Sequence, residues 1–147
     1  MSQSLAVSTT IRLPFARCLV LLRQSLSRSG FRILAEIPFD REFEQHVGLG
    51  WNRYTVLLVW SPFQAYQAVL TDQEAGILLP FHLIVAEGPE GTHVAATDVA
   101  MLGHLSGKLA LELLGGDINR KLQDICSDLR SLGNSSMCAG RNGERHA

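Results

Sequence analysis

Polar and apolar positions alternate over residues 6–13. Val7, Thr9, Ile11 and Leu13 fall on one side and Ser8, Thr10 and Arg12 on the other, which predicts a strand with one wet face. Pro14 ends that ladder and suits the first turn of a helix. Over residues 15–29, Phe15, Leu19, Leu22 and Leu26 recur at helical spacing and make an apolar stripe, with Gly30 as the stop. Residues 31–37 predict a second strand, with Phe31, Ile33, Ala35 and Ile37 inward. Asp40 is placed to cap a short helix over 40–46. Residues 54–60 predict a strand that is apolar at every position after Thr55. Pro62 opens a helix to about residue 71, with Phe63, Tyr66 and Val69 at helical spacing. Residues 77–87 predict a strand interrupted by Pro80, joined by a four-residue turn at 88–91 to a strand over 92–97. From Asp98 the pattern turns helical. Asp117 is the expected N-cap of a helix carrying Ile118, Leu122, Ile125 and Leu129, and residues 133–147, poor in apolar side chains, are expected to form a disordered tail.

Short connections between consecutive strands predict an α+β domain over residues 1–132: a mostly antiparallel sheet of about five strands with helices packed on one face. The strands at 54–60 and 77–87 are apolar on both faces. If helices cover one face, the other must meet a ligand, a second subunit or the C-terminal helix.

Composition narrows the class. A chain of 147 residues is one domain, and its 18% charged residues fall below the ~25% of an average domain, so more surface than usual is expected to be covered. A net charge of −1 disfavours a nucleic-acid partner. Three cysteines, Cys18, Cys126 and Cys138, form no Cys-x-x-Cys unit; the first two read as core fillers and the third as an exposed thiol in a reducing, cytoplasmic compartment. Arg12, Arg17, Arg23 and Arg28, with no acid in residues 1–30, match the composition of a transit peptide. The strand-then-helix pattern is the reading adopted instead, with the arginines on a solvated helix face. The apolar run at 18–22 is far shorter than the about 20 residues a membrane span needs, so no membrane partner is expected.

The stretch Gly30-Phe31-Arg32-Ile33-Leu34-Ala35-Glu36-Ile37, the Ser61-Pro62 helix start and Gly76-Ile77-Leu78-Leu79-Pro80 together resemble the domain-of-unknown-function 302 family over about residues 11–102. The resemblance implies an antiparallel sheet with helices on one side, similar to the TATA-binding-protein-like or helix-grip architecture. It implies no agreed activity. Typical members carry a cysteine where this chain has Trp60, and another where it has Phe81, so thiol or metal chemistry at those positions does not carry over. Asp98 matches the family's aspartate after the last strand, but Val99 replaces the proline that follows it.

Trp51, Tyr54, Trp60, Phe63, Tyr66 and Phe81 gather six of the chain's ten aromatic rings into one third of its length. Trp60, Tyr66, Phe81, His82 and Tyr54 are the expected lining of a site for a small apolar ligand, unless the rings are simply core. His82 and His93 on adjacent strands are weighed as a metal pair with Glu36 or Asp98, against the plainer reading of hydrogen-bonded sheet histidines. The acidic run Asp40, Glu42 and Glu44 reads as a solvated face. No phosphate loop, dinucleotide fingerprint or Gly-x-Ser-x-Gly elbow is present. The leading expectation is a non-enzymatic module, homodimeric or ligand-binding, with no cofactor. The alternatives are an enzyme built on His82 with Glu36 or Asp98, and a pure protein-interaction domain.

Overall fold

The β-rich segments pair into one sheet of five strands, described in a computed structural model covering the backbone of residues 6–142 and the side chains of residues 7–138. The strands are β1 (Ala6–Ile11), β2 (Arg32–Pro38), β3 (Tyr54–Trp60), β4 (Phe81–Gly88) and β5 (Gly91–Thr97). Their order is β1-β5-β4-β3-β2 and every neighbouring pair is antiparallel. Helix α1 (Phe15–Arg28) therefore carries the chain from one edge of the sheet to the other. Next to it lies α5 (Leu109–Asn142), and these two helices cover one face. Between them and the sheet, Cys18, Leu22 and Leu26 of α1 and Leu111, Ile118, Leu122 and Leu129 of α5 meet Leu57, Val59, Phe81, Leu83, Val85 and Val94 in a single core. Three smaller helical elements complete the fold: α2 (Phe39–Val47), α3 (Pro62–Thr71) and α4 (Met101–Ser106). The expected α+β class, with a mostly antiparallel sheet and helices on one face, is what forms.

Four expectations are corrected. The alternation Ile33, Ala35, Ile37 does not stay on one face, because the β2–β3 register shifts between Ile33 and Ala35. After that bulge, Glu36 stands opposite Leu57 on the helix side, while Ala35 and Ile37 stand opposite Leu58 and Val56 on the other side. Residues 77–80, expected to start the fourth strand, stay out of it: Ile77 ends a 3-10 turn (Gln73–Ile77), and β4 begins only after Pro80.

Asp117 is no N-cap, since α5 runs unbroken through Gly115-Gly116. Gly115 is small for a packing reason: a Cβ there would sit 2.4 Å from the Val99 carbonyl oxygen, so the helix could not approach the β5–α4 turn as it does. The helix also continues past residue 133, where a tail was expected. Gly133 lets it rest against the backbone of Arg12, with 3.0 Å from its notional Cβ to the Arg12 nitrogen. Residues 143–147 of that expected tail lie outside the described residues. Cys138 is exposed on this last stretch of helix.

Candidate functional site

Strand register sorts the side chains of the sheet's second face, which α1 and α5 do not cover, into rows. One row holds Ala35, Leu58, His82 and Thr97; the next holds Ile37, Val56, Ile84, Ala95 and Ser8; a third holds Tyr54, Ala86, His93 and Thr10. The half formed by β2, β3 and β4 is apolar, and the half toward β1 is polar. Yet the centre of this face is poorly accessible: Val56 and Ala95 are buried, and Leu58, Ile84, Tyr54 and Trp60 are half-buried. Small neighbours and close strand spacing let the side chains shield one another.

The five residues expected to line one pocket are not brought together. Trp60, Tyr54 and His82 share the open sheet face by alternation. Phe81, 1% exposed, points the other way into the core, where it meets Phe31 edge-on at 5.9 Å between ring centroids. Tyr54 stacks on Phe39 of α2 at 5.5 Å. Tyr66 lies on the outside of α3. The Trp60 indole nitrogen is buried without a hydrogen-bond partner.

The histidine–carboxylate groupings do not assemble either. His82 and His93 both face the open side, but Leu58 pairs with His82 while Ala86 pairs with His93. They are thus four positions apart along the strands, about 14 Å at ~3.4 Å per residue, too far to share an ion. Glu36 turns to the helix side and accepts a bidentate bond from Arg23, at 2.6 Å from Nε and 2.7 Å from Nη2. That bond holds the Glu36 carboxyl below its ordinary pKa. Asp98 accepts from the Asn119 side chain at 2.5 Å and from the Ala100 nitrogen at 3.0 Å, tying the β5–α4 turn to α5. Among the described residues, no group of three or more His, Cys, Asp and Glu side chains lies close enough to hold a metal ion. Burial pushes the Cys18 thiol up to about 11, helped by nearby Cys126, and burial raises Cys126 too. Both thiols are core fillers without nucleophilic character at neutral pH.

The feature that sequence periodicity missed is α3. Its aromatic stripe, placed at helical spacing by the sequence, faces water: Phe63, Tyr66 and Val69 are exposed, while Gln64, Ala65 and Ala68 are buried. Two alanines on the inner side let α3 pack closely beside α5, and Gln64 secures it by donating through Nε2 to Asp117 at 2.7 Å. Burial works to raise the Asp117 carboxyl, but the Gln64 amide, Lys121 and Arg120 outweigh it and hold that carboxyl below its usual range. Gln64 Oε1 is left buried without a donor. At the other end of α3, Lys108 Nζ donates to the Thr71 carbonyl at 3.2 Å and pairs with Asp72 at 3.3 Å.

These ties align the outer side of α3 with the first turns of α5. Phe63, Tyr66 and Leu70 on α3, Ile77 on the 3-10 turn, Leu105 on α4, and Leu109 and Leu113 on α5 are each 64–81% exposed. Ile77 and Leu105 also flank an apolar cleft of about 200 Å³ floored by Leu78, Leu102 and Leu111, with Asp72, Glu74 and Ser106 at its mouth. A third, smaller apolar patch surrounds α2, where Phe43 and Trp51 meet edge-on at 6.2 Å.

No helix among the described residues is long and apolar enough to cross a membrane. A five-stranded antiparallel sheet backed by α1 and α5 defines a small α+β domain. The chain belongs to the family described as "Domain of unknown function DUF302", which matches residues 7–129. It is similar in fold to the structure described as "Crystal structure of uncharacterized conserved protein DUF302 from Bacillus stearothermophilus". The TM-score is 0.80 and the identity 21%, over 87% of this chain and 100% of that one. No curated protein matches it.

Proposed function

We propose that the domain is a non-enzymatic interaction module that docks protein on the outer surface of α3 and the start of α5. The observation that carries this reading is the inverted amphipathicity of α3, with Gln64 inside and Phe63 and Tyr66 outside. An isolated domain loses hydrophobic stabilisation by that arrangement, at roughly 25 cal/mol per Å² of apolar surface left wet, unless something covers the stripe. The enzyme reading has less support, because Glu36 and Asp98 are committed to Arg23 and Asn119 on the side of the sheet away from His82. Free cysteines fit a reducing, cytoplasmic setting for the module.

The test is site-specific photo-crosslinking in the native cells, with a benzophenone side chain at position 66 or 113 and a control at position 82 on the open sheet face. A protein adduct at the two patch positions and not at the control is the expected result. No adduct at either patch position overturns the docking reading.

Binding of a small apolar ligand is the second reading, supported by the cleft beneath Ile77 and Leu105. Its volume exceeds the ~150 Å³ of an apolar cavity that takes benzene. Indole titrated into the purified chain should shift the methyl resonances of Leu78, Leu102 and Leu111; unmoved resonances at millimolar indole overturn it.

A further inference from the structure

We infer that the occupant of the α3–α5 patch is a second copy of this chain, which makes the domain a two-fold symmetric dimer through its helix layer. The inference rests on the docking reading above and names the partner. Area is the first argument. Two aromatic rings, each with roughly 150–250 Å² of full surface, and five smaller Leu and Ile side chains, all 64–81% exposed, present on the order of 800 Å² together. That is what each partner of a standard stable interface contributes, and it exceeds the ~300–600 Å² of the largest patch on an ordinary monomer.

Shape is the second argument. Phe63, Tyr66 and Leu70 recur at spacings of three and four, the seam by which one helix packs along another. A two-fold axis brings α3 against its own copy, so one seam supplies both halves of the contact. The stripe is flanked across the ties by Leu109 and Leu113, which would meet the partner's α3 on either side of that axis.

Charge argues against a lipid surface as the alternative. The patch is bordered by Asp72, Glu74 and Glu112, and the nearby Lys108 is paired with Asp72. Anionic membranes recruit clusters of lysine and arginine, and this rim would be repelled. Arg120 and Lys121 lie further along α5 and are both spent on Asp117.

The experiment is light scattering on the full chain during size-exclusion chromatography, from micromolar to tens of micromolar, for the wild type and the double variant Phe63→Glu/Leu113→Glu. Both substituted positions are exposed, so the variant keeps its fold, and an unchanged circular dichroism spectrum verifies that. The wild type should elute at twice 16.1 kDa, and the variant at the single-chain mass at every concentration. A wild-type monomer overturns the inference, and so does a dimer that persists in the double variant, which would then be built on another face. The crosslinking experiment separates the two claims. An adduct of other than twice the chain mass keeps the docking reading and discards self-pairing, whereas no adduct discards both.

Discussion

The β2–β4 half of the open sheet face and the outer face of the helix layer are both apolar, yet only the second leaves most of its large apolar side chains in water. On the sheet, Val56, Ile84, Ala95 and their neighbours sit a strand spacing apart and cover each other, so little apolar area reaches water. On the helix layer, Phe63, Leu70 and Ile77 project outward, and most of each side chain is wet. Apolar composition therefore predicts burial poorly by itself. What matters is whether neighbours in the same element shield the side chain, which a pleated sheet arranges and an isolated helix ridge does not.

The largest test of that contrast uses the two faces of the sheet. Phe81→Ala, in the core between sheet and helices, should cost about 3–5 kcal/mol in urea unfolding. Leu58→Ala on the open face, at a half-buried position, should cost roughly 1–2 kcal/mol. Equal losses would mean that the open face is also covered in solution and would erase the distinction.

A smaller effect separates the helix patch from both. In dilute protein, Phe63→Glu/Leu113→Glu should change the stability of the single chain by less than about 0.5 kcal/mol per site, since neither residue packs on anything. The wild-type unfolding midpoint should rise with protein concentration, as it does for any fold stabilised by self-association, and the variant's should not. A concentration-independent wild type would leave the patch uncovered.

The smallest effect is electrostatic and marks the sheet's helix side at its β2 edge. Glu36 has a depressed folded pKa, so the stability it lends is present above the ordinary carboxyl value of 4.5 and is lost as pH falls through the lower folded value. Arg23→Gln should lower the urea midpoint slightly at pH 6, and the gap to wild type should close once the pH lies below the lowered folded value. Both partners are substantially exposed, so solvent screening keeps the gap small. A gap that stays constant down to that pH would show that the ion pair contributes nothing.

Most of the fold was legible in the sequence because its strands and α1 carry clean periods bounded by proline and glycine. The misreadings share a cause. The β2 bulge changes parity without any residue type that announces it. Gly115 and Gly133 looked like helix breakers, but each is small because backbone passes close by, a tertiary requirement that no local pattern records. In α3 the period was right, but the period alone leaves the phase open. Two opposed stripes exist, one aromatic and one of Ala65 and Ala68, and periodicity cannot choose between them. The small residues were the available signal, since a helix lying close against a neighbour needs alanines at the contact. The candidate site was less legible than the fold. Trp60 and Phe81 looked like neighbours, but adjacent strand positions of opposite parity face opposite sides of the sheet.

Hydroxyl-radical footprinting of Phe63 and Tyr66 against Trp51 tests the central claim most directly. All three rings are 64–71% exposed in the single chain, so Trp51 serves as an internal reference on a separate patch. If the helix patch is covered in solution, Phe63 and Tyr66 are oxidised far more slowly, relative to Trp51, than their exposure gives, and dilution restores their rate. If instead they react at the rate of open rings at every concentration, the patch is bare and the account of it as an interface is wrong.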